Sequence, residues 1–151
     1  MSKLRIRNGD WALVVDGRKA LFLQNRGDGV HLGIVTREVR EHPDLPNHEL
    51  HTDRPGKVQQ SAASFHSAVE VADRHEEAER AFIVDTLKRL DELLASDRSR
   101  RFVVIAPPRA LGVIRKGYTS HLRSALEAEI DHDWLHLPVH EIEARLKELW
   151  E

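Results

Sequence analysis

The chain has 151 residues, 40% hydrophobic and 32% charged, and 23 basic against 25 acidic side chains give a net charge of −2. This composition is typical of one globular domain and excludes fibrous, disordered and membrane-embedded classes. The near-balance of charge excludes a general electrostatic attraction to nucleic acid or anionic lipid. Because the chain has no cysteine, disulfides, thiolate nucleophiles and cysteine-based metal centres are excluded as well.

The N-terminal segment 1–7 is basic but is not followed by the apolar run of a signal peptide. No stretch approaches the ~20 apolar residues of a membrane-spanning helix. We therefore expect one cytoplasmic domain over residues 1–151, with no membrane partner.

The first predicted elements are β-strands. The apolar runs 11–15 and 19–23 flank an Asp-Gly pair at 16–17, and glycine tolerates the positive φ of a tight hairpin turn. The Gly-Asp-Gly sequence 27–29 then turns the chain into a third run at 30–36. The pattern predicts an opening meander of three antiparallel strands.

Residues 42–60 interrupt this regularity, because Pro43, Pro46 and Pro55, with Gly56, punctuate a polar sequence. The pattern predicts a long loop. Loops of this length in compact domains are usually functional or disordered. The loop is therefore the first place to look for a contact surface.

A long amphipathic helix is predicted beyond the loop, since apolar side chains recur over 78–94 at helical spacing. Asp73 is a plausible N-cap with Glu76 as its capping-box partner, while a start near Ser61 stays open. The continuous apolar run 102–106, ended by two prolines, predicts the central strand of the sheet, buried on both faces.

The last third of the chain predicts alternating short elements. A short helix at 111–114 precedes a second helix, capped by Thr119 or the serine after it and running to Ile130. Residues 134–137 resemble a short last strand. Pro138 suits the first turn of a C-terminal helix.

Catalytic templates in the sequence are incomplete. Residues 54–58 superficially resemble a phosphate-binding loop, but His51 stands where a P-loop has glycine, and Val58 offers no hydroxyl to magnesium. His75 and His140 each begin a metalloprotease-like sequence without its second histidine. No Gly-x-Ser-x-Gly elbow is present. We assign no catalytic residue.

Histidines leave a metal site as an alternative. Three recur at four-residue spacing near the C-terminus, but Pro138 breaks the helix that would align them. Two of these with a nearby aspartate, or a pair in the long loop, could gather a divalent ion. We favour solvated histidines and assign no metal ligand and no cofactor. The residues concerned are His132, His136, His140, Asp131, Asp133, His48 and His51.

The order of these segments carries a resemblance to a known family. Four features carry it: the strand pair with its Asp-Gly turn, the loop and helix start 54–65, a long acidic helix, and the Ala-Pro-Pro and Leu-Gly sequences within 106–112. Together they resemble the bacterial host attachment protein family over essentially the whole chain. The same segments are more distantly similar to the central domain of archaeal and eukaryotic class I release factors and Pelota. There, a Pro-Gly-Lys loop leads to a Gly-Gly-Gln motif.

The resemblance implies an RNase H-like α/β fold of the translation-machinery type, with a mixed five-stranded sheet and flanking helices. Val58 and Gln59 stand where the release factors have two glycines, and a β-branched residue restricts the backbone that glycine frees. We therefore do not expect Gln60 to support peptidyl-tRNA hydrolysis.

Two surfaces are predicted to bind a partner. The loop surface would use basic and polar side chains on phosphates or protein groups. The second is a basic patch that follows the predicted strand 102–106, where open α/β sheets place their binding crevices. The loop residues are Arg54, Lys57, Gln59, Gln60 and Ser61, and the patch residues are Arg109, Arg115 and Lys116.

The leading hypothesis is a non-enzymatic or weakly enzymatic binding module that acts on a ribosome, tRNA or protein partner through residues 52–61. One alternative is a small hydrolase or nuclease that uses loop histidines and acidic residues, with or without a divalent metal. Another is an adhesion-related regulatory or signalling module. The sequence leaves the oligomeric state open.

Overall fold

A mixed five-stranded sheet with strand order β3-β2-β1-β4-β5 forms the centre of one α/β domain. The fold is taken from a computed structural model, which describes residues 4–28, 30–42 and 61–149, and only the helical backbone of 61–69. The strands are β1 (Trp11–Val15), β2 (Lys19–Asn25), β3 (Ile34–Glu41), β4 (Phe102–Ala106) and β5 (Leu126–Asp131). The helices are α1 (Ser61–Ala95), α2 (Pro108–Gly117), α3 (Ser120–Ala125) and α4 (Val139–Glu148).

The predicted antiparallel meander is confirmed, since β1 pairs with β2 and β2 with β3. The carboxylate of Asp16 closes the first turn by accepting hydrogen bonds from the backbone N–H groups of Arg18 (2.8 Å) and Lys19 (2.9 Å). The third strand starts later than predicted, at Ile34. The buried side chain of Asn25 hydrogen-bonds the intervening backbone and holds it as a turn.

The apolar run 102–106 forms β4, and all five of its residues are buried, as predicted. It pairs in parallel with β1 on one side and β5 on the other. The middle place in the sheet belongs to β1, however, and not to β4. The prediction of a central strand was right about burial on both faces and wrong about position.

The region after β4 departs most from prediction. Thr119 caps α3 as expected, because its hydroxyl accepts a hydrogen bond from the N–H of Leu122 at 3.1 Å. The helix ends at Ala125, and the residues predicted to extend it form β5 instead. The predicted strand 134–137 is a turn, closed by a 3.0 Å bond between backbone groups of Leu137 and Trp134.

Helix α1 starts at Ser61, the alternative that the sequence left open, and not at a cap on Asp73, which lies inside it and is exposed. Its 35 residues span about 52 Å. Its buried described side chains lie in the second half, from Ile83 onward. The second half therefore anchors the helix to the sheet.

Each face of the sheet packs against its own apolar core. Helices α1, α2 and α3 cover one face, with Phe22 and Leu90 fully buried between the layers. Helix α4 and the segment around Ile6 cover the other face. None of the helices that the structure describes is long and apolar enough to span a membrane.

Candidate functional site

A cleft of about 450 Å³ lies where β1 and β4 end, between α1 and the first turns of α2. The two strands are parallel, so their carboxyl ends meet at the same edge of the sheet, where open α/β proteins tend to bind ligands. We call it the carboxyl-edge cleft. Its charged lining residues are Asp16, Arg18, Glu76, Glu79, Arg80 and Arg109.

The hairpin turn approaches α1 closely at one wall of this cleft. A Cβ atom added to Gly17 would lie 2.8 Å from Cγ and 2.9 Å from Cβ of Glu79. These separations are below normal van der Waals contact, so only glycine lets the turn approach the helix this closely. Gly17 thereby fixes the distance between the β1–β2 turn and α1.

The opposite wall is the start of α2, directly after β4. Arg109 reaches across to α1, where its Nη2 atom lies 3.1 Å from Oε2 of Glu76. The side chains of Arg109 and Glu76 are 72% and 56% exposed, and such exposed ion pairs contribute little to stability. The guanidinium can therefore exchange this carboxylate for a ligand at small cost.

The side chains of the cleft can bind charged groups. Three carboxylates and three guanidiniums surround an apolar floor that includes Ile83 and Val113. Guanidinium groups recognise phosphates and carboxylates through paired hydrogen bonds. Among the described residues that line it, none is a serine, threonine, cysteine or histidine that could act as a nucleophile or paired base.

The predicted basic patch is only partly assembled. Arg109 and Lys116 are both exposed, and their seven-residue separation places them on one side of α2. Arg115 is instead bound to Glu129 of β5, with its Nε and Nη2 atoms 2.8 and 2.7 Å from the same carboxylate oxygen. This hydrogen bonding raises the pKa of Arg115. Arg115, whose side chain is 58% exposed, therefore links α2 to β5 and does not line the carboxyl-edge cleft.

The same carboxylate holds Tyr118. Its hydroxyl donates a hydrogen bond to Oε2 of Glu129 at 2.9 Å, so Glu129 joins the end of α2 to β5 through two partners. Burial, and secondly this hydrogen bond, raise the pKa of Tyr118. The neutral phenol is the form that the folded protein favours.

Tyr118 is therefore expected to resist ionisation until the protein unfolds. Because its pKa is raised on folding, the associated stability is present below the unfolded pKa of about 10 and is lost as pH rises towards the folded pKa. Tyr118 is the single tyrosine of the chain, so the change in near-ultraviolet absorbance that accompanies phenol ionisation comes from this residue alone. The folded protein should show no tyrosinate at about pH 10, where the urea-unfolded chain is half ionised. Identical titration curves in the two states would contradict this assignment.

Most of the predicted loop surface lies outside the described residues. Arg54, Lys57, Gln59 and Gln60 belong to this part, and Ser61 is the first residue of α1. The chain therefore passes from the predicted loop surface directly into the helix that forms one wall of the cleft.

The alternative of a metal site near the C-terminus is not supported. His132 stacks on Trp134, with ring centroids 5.8 Å apart and planes 7° from parallel, and Arg145 lies over the same indole. Across 4–28, 30–42 and 61–149, no three histidine or acidic side chains converge in a way that could hold a metal ion. His48 and His51 lie outside the described residues.

Of the six charged lining residues, only Arg109 was predicted from the sequence as a site residue, and the five others are Asp16, Arg18, Glu76, Glu79 and Arg80. The sequence placed Asp16 in a hairpin turn and Glu76 in a helix cap, without a role at a site. The usable signal was positional: Asp16 follows one parallel strand and Arg109 follows the next, and such positions meet at one sheet edge.

Fold and site together define a single-domain α/β protein with a charged cleft at the carboxyl edge of a mixed sheet. The sequence model of one family, described as "Protein required for attachment to host cells", matches residues 11–146. The chain therefore belongs to the host attachment protein family, as its sequence resemblance indicated. It matches none of the curated proteins with which it was compared.

Proposed function

We propose that this chain is a cytoplasmic binding module that engages a tRNA or ribosomal partner through residues 52–61 and the arginines of the carboxyl-edge cleft. The observation that carries the proposal is the course of α1. Glu76 lies at the cleft, where it pairs with Arg109, and the helix continues from there to Ser61. Those 15 residue steps correspond to about 22 Å of helix.

This geometry favours a contact surface remote from the core. The described side chains from Glu70 to Arg74 are exposed or half-buried, and Ile83 is the first buried side chain among residues 70–95 of α1. Residues 52–60 directly precede Ser61, the first residue of this helix.

The side chains on both surfaces suit a phosphate backbone. Arg54 and Lys57 precede α1. Arg18, Arg80 and Arg109 line the carboxyl-edge cleft. Cationic side chains position nucleic acids through their phosphates and release counterions on binding. A partner that contacts both the residues before α1 and the cleft would therefore bind both groups of cationic side chains.

The test is the salt dependence of binding to purified tRNA and ribosomes. Affinity should fall steeply as salt rises. The Arg54→Ala/Lys57→Ala double variant should reduce the slope of log affinity against log salt by about 1.4–1.8, the contribution of two phosphate contacts. Fluorescence anisotropy over a salt series measures this slope.

The matched control is Lys88→Ala/Arg98→Ala, which removes the same charge from two exposed positions outside the cleft. The slope of this variant should equal that of the wild type. Equal losses in both double variants would indicate a nonspecific charge effect. Absence of binding to tRNA and ribosomes at low salt would overturn the proposal.

A protein ligand is the second candidate, because three carboxylates balance three guanidiniums in the cleft. Complementary mixed charge confers specificity in protein complexes. Such a complex would respond weakly to the loop double variant. Reversing the exposed Arg80 with Arg80→Glu would weaken it instead.

A further inference from the structure

Helix α2 contains a glycine that its own packing does not require. Gly112 lies in the interior of the helix, where glycine is less stable than alanine. A positive φ would explain a glycine, but among the described residues only Gly9 has one. Close packing would explain it too. Outside the neighbouring turns of α2, however, a Cβ atom added to Gly112 would meet no atom of the described chain within 4 Å.

The surface on either side of Gly112 is cationic. Arg109 precedes the glycine by three residues and Lys116 follows it by four, so each cation is one helical turn from Gly112 on the same side of α2. Both side chains are exposed. Seven residues of helix separate the two cations by about 10 Å along the axis. We call these three residues the α2 face.

We infer that the sugar-phosphate backbone of an RNA strand lies along the α2 face, across Gly112 and in contact with Arg109 and Lys116. The inference rests on the proposed function, in which RNA is the partner, and it names a surface on which the strand is bound. Arginine and lysine side chains are common contacts to phosphates. Because Gly112 has no side chain, the strand can approach the helix closely enough for both cations to reach it.

The position of Arg109 favours a ligand with repeated negative charges. Arg109 lines the carboxyl-edge cleft and also belongs to the α2 face, so it joins the two surfaces. Its partner within the chain, Glu76, is 56% exposed and is exchanged at small cost. Lys116 has no ion pair in the part of the chain that the structure describes. A strand with a phosphate at each nucleotide can bind both cations, whereas a single carboxylate can bind only one of them.

The Gly112→Ala variant separates folding from binding. Alanine should raise the midpoint of thermal unfolding by about 1–4 °C, because it stabilises the interior of the helix and meets no obstacle. The same methyl group should lower the affinity for purified, fluorescently labelled tRNA severalfold, because it holds the strand away from the helix. A purely structural role of Gly112 would not combine higher stability with weaker binding.

The Gly112→Gln variant tests the contacts of the cations without changing any charge. Glutamine favours helices, and its longer side chain should lower the affinity for tRNA about tenfold or more. Because the displaced strand loses phosphate contacts, the slope of log affinity against log salt should fall by about 0.7–1.8, which corresponds to one or two contacts. Fluorescence anisotropy over a salt series measures this slope.

A double-variant cycle connects Gly112 to Lys116. In the wild-type background, Lys116→Ala should lower the slope by about 0.7–0.9, the contribution of one phosphate contact. In the Gly112→Gln background the same change should have little further effect, because the strand is already displaced. Additive effects of the two substitutions would contradict the inference.

The matched control is Ala144→Gln, which adds a glutamine side chain at an exposed position of α4, on the opposite face of the sheet. Its affinity and slope should equal those of the wild type, and losses equal to those of Gly112→Gln would overturn the inference. Wild-type binding by both Gly112 variants would also overturn it. If Arg54→Ala/Lys57→Ala still lowers the slope in that case, the proposed function stands without the α2 face. Absence of tRNA binding would overturn both.

Discussion

Replacing Asn25 with alanine is expected to lower the free energy of unfolding by about 3–5 kcal/mol. Asn25 is fully buried at the end of β2. Its Oδ1 atom accepts hydrogen bonds from the N–H groups of Gly27 and Gly33, both at 2.9 Å. Its Nδ2 atom donates to the carbonyls of Ile6 (3.0 Å) and Asp28 (3.3 Å). One side chain therefore satisfies four backbone groups.

The expected loss is large because alanine leaves those backbone groups without their partner, and an unsatisfied buried group costs about 1–3 kcal/mol. The matched control is Asn8→Ala. Asn8 also binds two carbonyls of this turn, but it is exposed, so water can replace it and the loss should stay below about 1 kcal/mol. Urea unfolding measures both variants. Equal losses would show that burial of Asn25 does not determine its contribution.

Replacing Leu90 with alanine should lower the free energy of unfolding by about 2–5 kcal/mol, because the fully buried side chain leaves a cavity in a close-packed core. Leu90 lies in the half of α1 that packs on the sheet. Val84→Ala is the control on the same helix, since Val84 is 40% exposed. Its effect should remain within about 1 kcal/mol. Thermal unfolding at several urea concentrations measures the difference.

The Leu90 variant also tests the link between core and contact surface. If the second half of α1 anchors the first, hydrogen exchange should accelerate along residues 70–82 in Leu90→Ala. It should remain unchanged there in Val84→Ala. Unchanged exchange in both variants would mean that the first half of the helix is held independently of Leu90.

Elements with strong local signals were predicted correctly. The β1–β2 hairpin follows from two apolar runs around Asp16 and Gly17, and β4 from an uninterrupted apolar run. The cap at Thr119 follows from the hydroxyl that its side chain offers to free N–H groups. In these cases, residues near one another in the chain determine the structure.

Strand β5 shows why the rest could not be predicted. Its sequence, Leu126 to Asp131, contains leucine, alanine and glutamate, which favour helices. The segment forms a strand instead because it pairs with β4 and because Arg115 and Tyr118 bind Glu129. These are tertiary contacts, and such contacts routinely override weak local preferences.

The site was harder to predict than the fold. Arg109, Arg115 and Lys116 were grouped from the sequence for one reason, because all three follow the apolar run 102–106. The structure binds Arg115 to Glu129 and surrounds Arg109 with residues from α1 and the first hairpin. The carboxylate that pairs with each arginine belongs to a segment distant in sequence, so the sequence alone could not show that Arg109 and Arg115 have different surroundings.

The junction between α3 and β5 has no connecting residue, because Ala125 ends the helix and Leu126 begins the strand. The strand adapts to the helix end through a bulge at Glu127, where its register against β4 shifts between Phe102 and Val103. Beyond the bulge, side chains alternate between the two sides of the strand, so Ile130 enters the apolar layer beneath α4 while Glu129 binds Arg115 and Tyr118. One extra residue directly after Ala128 would exchange these two sides and bring the carboxylate of Glu129 into the apolar layer.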